Sequence, residues 1–167
     1  MTLIQNNITL QKACIDRINE VFETCEQYFN TKFFRPRVVF NLRGRTAGKA
    51  YLMQNLIKLN AQILANHGDK FIADTPGHEA AHIIARRVFG VMIRPHGDEW
   101  ARVMSIINQP ATRCHNFVVK TNNIYSCSCP DRQHFVSTRM HNNFLRGTHS
   151  LTCTICRDKL TWINLAE

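Results

Sequence analysis

No apolar run among these 167 residues approaches the roughly 18 that a helical membrane span requires. The first residues, MTLIQNNITLQKAC, contain neither a basic segment nor a continuous apolar one of the kind that directs secretion. A cytoplasmic protein with no membrane partner is therefore expected. Without an oxidising compartment the seven cysteines, an odd number, are expected as thiols, and clustered ones read as metal ligands rather than disulfides. Acidic residues are also scarce. Residues 31–68 hold seven cations (Lys32, Arg35, Arg37, Arg43, Arg45, Lys49 and Lys58) and no Asp or Glu, within a chain of formal charge +9. Such a stretch suits a polyanion such as nucleic acid, or serves solubility alone. What is present is enough to fold: 44% hydrophobic content supports one core, with room for a small appendage.

The chemistry gathers in residues 78–100, HEAAHIIARRVFGVMIRPHGDEW. His78 and His82 are four apart, so on a helix both imidazoles leave one face and can grip a single metal ion. Glu79 between them is suited to act as general base on a metal-activated water, with zinc lowering the pKa of that water toward neutrality. A third ligand must come from elsewhere, and His96, beyond a helix stop at Gly90, is the candidate. The extended pattern HExxHxxGxxH is absent, because Ala85 and Val88 occupy its Gly and third His positions.

Around this stretch, apolar residues spaced three and four apart (Cys14, Ile18, Val21, Phe22, Cys25, Phe29) predict a buried helical face over residues 8–29, with Cys14 and Cys25 as core. Pro36 breaks that helix. Residues 38–42 predict a strand, residues 44–48 a turn, and residues 49–60 a second strand with imperfect alternation. A short helix over 61–66 ends at His67-Gly68, with His67 on the surface. The metal-bearing helix either starts with Thr75 as N-cap and Pro76 in its first turn or runs unbroken from residue 69. Ile83, Ile84, Val88 and Phe89 anchor it, while Arg86 and Arg87 face outward or toward a substrate groove. The acids of Gly97-Asp98-Glu99-Trp100 open a further helix, and Trp100, Val103, Met104 and Ile107 form its buried side. His115 is a candidate substrate contact, and His149 has no constellation around it.

The tail carries Cys127-Ser128-Cys129 and Cys153-Thr154-Ile155-Cys156, with strand-like residues at 135–139 between them. Two cysteine pairs in so short a segment suit a zinc ribbon, in which metal–sulfur bonds replace a core. CxC is the less usual half, so His134 or His141 could stand in for one of its cysteines. Residues 109–157 carry six cations against Asp131, a second reason to expect a phosphate-bearing partner.

HEAAH followed by HGDEW, preceded by RGRTAGKAYLMQNLIKLN and followed by a cysteine-bearing tail, resembles the SprT family over nearly the whole chain. The resemblance implies an α+β fold: a zincin-like metalloprotease domain over residues 1–120, with an HExxH helix and a small β-sheet, then a zinc-ribbon-like segment over 121–167. It implies zinc on His78, His82 and His96, Glu79 as catalytic acid and base, and a second, structural zinc on the tail. Eukaryotic relatives known as Spartan are DNA-dependent proteases that degrade proteins crosslinked to DNA. A protein substrate and DNA, preferentially single-stranded, are thus the expected partners. The sequence departs at Gly77, where proline is expected beside the first ligand. The competing expectation is a zinc-stabilised nucleic-acid-binding or regulatory protein with little or no peptidase activity. Glu79 argues against it, since a purely structural site has no use for that carboxylate.

Overall fold

The computed structural model describes residues 3–113, 117 and 123–163, with side chains from residue 7 onward in the first helix. The chain forms two compact units, Met1–Phe117 and Val118–Glu167, and its class is α+β. No helix among the described residues is long and apolar enough to cross a membrane.

The first unit starts with helix α1 (Leu3–Phe29). Its stripe of Cys14, Ile18, Val21, Phe22 and Cys25 is buried, and α1 packs against the long helix α2 (Ala61–Phe89). Burial pushes the Cys14 thiol up to about 12 and the Cys25 thiol to about 11, so both are inert core groups. Near the end of α1, Glu26 receives Arg35, Lys32 and the Phe33 N–H, and the Arg35 guanidinium holds its carboxyl well below the usual range. This clamp fixes the chain as it leaves the helix through Asn30, at φ 48.

The sheet has the order β1 (Arg37–Val39), β3 (Leu56–Leu59), β2 (Gly48–Tyr51); β1 runs parallel to β3, and β2 runs antiparallel to it. Here the structure corrects the expected second strand. A single 3-10 turn (Leu52–Gln54) and left-handed Asn55, φ 46, fold residues 48–59 back on themselves. Asparagine tolerates that conformation, and the imperfect alternation is the trace of the reversal. Ile57 and Leu59 are fully buried on one face, and α2 packs on that side of the sheet. Lys49 pairs with Lys58 across the other face.

Helix α2 does not begin at Thr75: two helical stretches join at Gly68, so the break expected at His67-Gly68 is present and the metal-bearing stretch runs on from residue 69. Asn60 caps the first stretch, accepting from the N–H groups of Gln62 and Ile63 while donating to the carbonyls of Gly44 and Thr46. One buried amide therefore starts the helix and ties down the preceding loop. Gly68, at φ 46 and ψ -119, leaves helical geometry and separates the two stretches, and Thr75 and Pro76 lie buried inside the second. His67 is half-buried, its ring 4.9 Å from that of Phe117. Ile83 and Ile84 are core, whereas Val88 and Phe89 are half-buried. Arg86 and Arg87 do not face a groove: they bond to Met53 Sδ, the Phe34 carbonyl and Asn55 Oδ1. Helix α3 (Asp98–Ile106) buries Trp100, Val103 and Met104, with Ile107 just beyond its end.

The second unit is a three-stranded antiparallel sheet in the order β5 (Gln133–Phe135), β4 (Ile124–Ser126), β6 (Thr161–Ile163), with helix α4 (Thr138–Leu145) after β5. The strand expected to reach residue 139 stops at Phe135, because Ser137 accepts the Met140 N–H and starts α4. The buried cluster is small: Tyr125, Val136, Leu151, Cys153 and Leu160.

Candidate metal centres

His78 and His82, one turn apart on α2, meet His96, which stands on the turn between α2 and α3 at φ 57. The three Nε2 atoms form a triangle with sides of 3.0, 3.1 and 3.3 Å. Tetrahedral zinc with nitrogen ligands at 2.0–2.1 Å separates them by about 3.3 Å, so this donor set fits the ion. Burial, followed by the neighbouring His78 and His96, pushes the His82 pKa down to about 3, and burial with Arg113 lowers that of His96. Both rings are held neutral, the form that ligates metal.

Glu79 is 7% exposed, and burial raises its pKa to about 7 despite a hydrogen bond from the Ala50 N–H. It lies with the three histidines in a cleft of about 620 Å³, whose walls include edge strand β2, Pro95, Arg113 and Phe117. The arrangement combines three convergent imidazole nitrogens, an open side and a carboxyl group whose pKa burial raises.

Trp100, four residues beyond His96, walls the site as its spacing suggests, while further supports escape the sequence pattern. Trp100 is buried beneath the triad: its indole stacks on His82 at 5.4 Å, meets His78 and His96 nearly edge-on, and donates to the His78 carbonyl at 3.4 Å. Gly48 lets β2 approach α2, since a Cβ there would stand 2.7 Å from Glu79 and Thr75 side-chain carbons. The unexpected Gly77 has a partner in Gln109. A Cβ at position 77 would lie 2.1 Å from Gln109 Oε1, while Gln109 Nε2 donates to the Asp74 carbonyl at 2.5 Å. Gln109 is delivered there by the end of α3, where Asn108 takes φ 51, its N–H reaches the Ser105 carbonyl and the Gln109 N–H reaches that of Met104. Pro76 deprives the α2 turn of one backbone donor, and Trp100 and Gln109 brace that same turn from both ends of α3. The signal available in sequence was Gly77, the departure directly before the first ligand.

In the second unit, Cys127 and Cys129 lie between β4 and β5, and Cys153 and Cys156 lie in the turn before β6. Their four sulfurs come within 4.8 Å of one another; tetrahedral zinc–sulfur bonds of 2.3 Å place such atoms about 3.8 Å apart. Backbone N–H groups of Ile155 and Cys156 lower the Cys153 thiol to about 6, while the Cys156 thiol, ahead of burial, pushes Cys129 up to about 12. His134 Nε2 lies 3.3 Å from Cys127 Sγ. His141 is turned elsewhere, its Nδ1 2.9 Å from Tyr125 Oη, so the set among the described residues is four cysteines with His134 beside it. His149 is exposed and touches only Thr148 in hydrogen bonding, and His115 lies outside the described residues.

The sequence model of the SprT-like family matches residues 18–123. The chain belongs to the SprT-like family. Among SprT-like relatives, Protein SprT of Pseudomonas savastanoi pv. phaseolicola is 38% identical over 156 residues, covering 88% of this chain and 94% of the relative. Protein SprT of Pseudomonas paraeruginosa is 36% identical over 151 residues, covering 87% and 92%. No solved structure gives a significant match. Both candidate centres of this SprT-like chain, His78/His82/His96 and the four cysteines, are compatible with zinc.

Proposed function

We propose that the chain is a zinc-dependent peptide hydrolase whose first unit is zincin-like and whose substrates are proteins associated with DNA. The second unit is then a ribbon held by a structural zinc. The observation that carries the hydrolase reading is the position of Glu79, between two of the three convergent histidines on α2, with its carboxyl on the wall of the same cleft. His78, His82 and His96 would hold the catalytic ion, which when bound supplies Lewis acidity to water and to the scissile carbonyl. Glu79 would take the proton of the attacking water and deliver it to the departing amine, since a carboxyl beside the histidine triad can act as base and then as acid. Edge strand β2 offers unpaired backbone groups to an extended peptide, and this favours loosely folded substrates. The acid-free stretch of residues 31–68 supports a DNA-associated target.

The test compares zinc-loaded wild type with Glu79→Gln on a loosely folded protein bound to single-stranded DNA, measuring metal content and cleavage together. The variant is expected to keep its zinc and to cut about 10²–10⁴-fold more slowly. Equal cleavage with zinc retained would remove Glu79 from the mechanism. A wild type that binds DNA but cuts nothing, itself included, would leave a binding module in place of the protease.

A further inference from the structure

The outward face of the first unit's sheet is built unlike the rest of its surface. Lys49 and Lys58 are directly opposite each other on β2 and β3, and their ammonium groups lie 5.2 and 4.9 Å from the centre of the Tyr51 ring. Arg37 shares that face, since it pairs with Leu56, which pairs in turn with Tyr51. Like charges facing each other across strands destabilise a sheet. Acids normally relieve such pairs, yet no ion pair among the described residues involves any of these three cations: those found are Arg17–Glu20, Lys32–Glu26 and Arg35–Glu26. Helix α2 packs against β2 and β3 from the Ile57 side, and on the opposite side Arg37 and Lys49 are exposed while Lys58 and Tyr51 are half-buried.

We propose that this face, centred on Tyr51 between Lys49 and Lys58, binds single-stranded nucleic acid. Phosphates sit on the cations and a base stacks on the tyrosine ring. The aromatic ring decides between polyanions: an acidic peptide would satisfy the lysines and leave the ring without a planar partner, whereas every base has a π-face to offer. A duplex keeps those faces stacked within itself, so a single strand is the form the face can use. Arg45, on the turn leading into β2, belongs to the same cation-rich stretch and also lines the cleft. A bound strand would thus run toward the cleft entrance and bring attached protein with it. The inference rests on the proposal that substrates are DNA-associated, and it gives that association a surface that starts at the cleft wall, where Lys49 lies, and extends away from the histidines.

The test titrates the full, zinc-loaded chain into fluorescein-labelled oligo-dT and follows anisotropy over a range of salt concentrations. Lys49→Glu/Lys58→Glu should weaken binding more than tenfold and lower the salt slope by about 1.4. Tyr51→Ala should weaken it roughly 5- to 100-fold with the slope unchanged, and Tyr51→Phe should bind like wild type, as a stacking ring requires. If wild type binds oligo-dT and the variants bind equally well, the face is not the site and the DNA-associated reading survives. If polyglutamate displaces the oligonucleotide at equal charge and Tyr51→Ala has no effect, the face is an unspecific polyanion surface. If wild type does not bind oligo-dT at all, the broader reading falls together with this one.

Discussion

The two candidate metal centres rest on different foundations. Two of the three histidines stand on a helix already held by a substantial core, with Ile83, Ile84, Phe71 and Trp100 all buried around them. The four cysteines stand on hairpin turns around a cluster of only five buried side chains, one of them Cys153 itself. Three nitrogens beside a cleft leave a coordination position for chemistry, whereas four sulfurs close the shell. The contrast teaches that a metal can be added to a fold or can substitute for one. On the proposed reading the first unit would organise its ion, and in the second the ion would organise the protein.

The strongest way to break this contrast is to remove ligands from the second unit. Cys153→Ser/Cys156→Ser should unfold residues 118–167, because apparent zinc affinities of about 10–16 kcal/mol exceed what so small a cluster can replace. Limited proteolysis and amide dispersion would record the loss, while His82→Ala, which costs the other ion, should leave the helices of the first unit formed. A second unit that stays protected and dispersed without its sulfurs would end the distinction.

A smaller effect sharpens the first half of the comparison. With its metal removed, the first unit contains a carboxyl whose pKa is raised from an ordinary 4.5 to about 7 by burial. The protonated form suits the folded state, so the contribution of Glu79 to stability is complete below about pH 4.5 and is lost as pH rises through about 7. Metal-free Glu79→Gln should therefore melt higher than metal-free wild type at pH 8, by up to about 3 kcal/mol, and the gap should close toward pH 5. Paired thermal melts across that range check it; a gap independent of pH would show that titration of Glu79 is not its source.

The smallest predicted effect concerns the brace under the triad. Gly77→Ala should destabilise the protein by about 1–2 kcal/mol, overpacking against Gln109 outweighing the helix propensity gained. In the double variant Gly77→Ala/Gln109→Ala the methyl group has room, so the losses should fall short of additive. Denaturant midpoints for the four combinations would measure that coupling, and strict additivity would separate the two residues.

The two clusters of candidate ligands were legible in the sequence because helical spacing brings His78 and His82 together and because the cysteines come in close pairs. The apolar stripe of α1 and the buried side of α3 were legible for the same periodic reason. What stayed hidden depends on partners distant in the chain. Asn60 caps α2 only because the loop it also binds lies nearby, and Pro76 fails to end the helix because its packing against α1 and α3 outweighs local preference, whereas the break at Gly68 was legible. The reversal at Asn55 separates two strands that a hydrophobic pattern merges. Gln109 carried no motif at all, and its role follows from the space that Gly77 leaves.

The place of Trp100 has an optical consequence. The chain contains two tryptophans, one in each unit: Trp100 touches all three imidazoles of the first centre, and Trp162 leans on His141 at 4.8 Å in the second unit. Trp100 is 1% exposed and Trp162 is 37% exposed, so the two emit from environments of different polarity. A quenching ion such as Cu²⁺ or Co²⁺ entering the histidine site would darken the bluer component, and unfolding of the ribbon would shift the redder one. The protein thus carries a separate native fluorophore for each half of its own architecture.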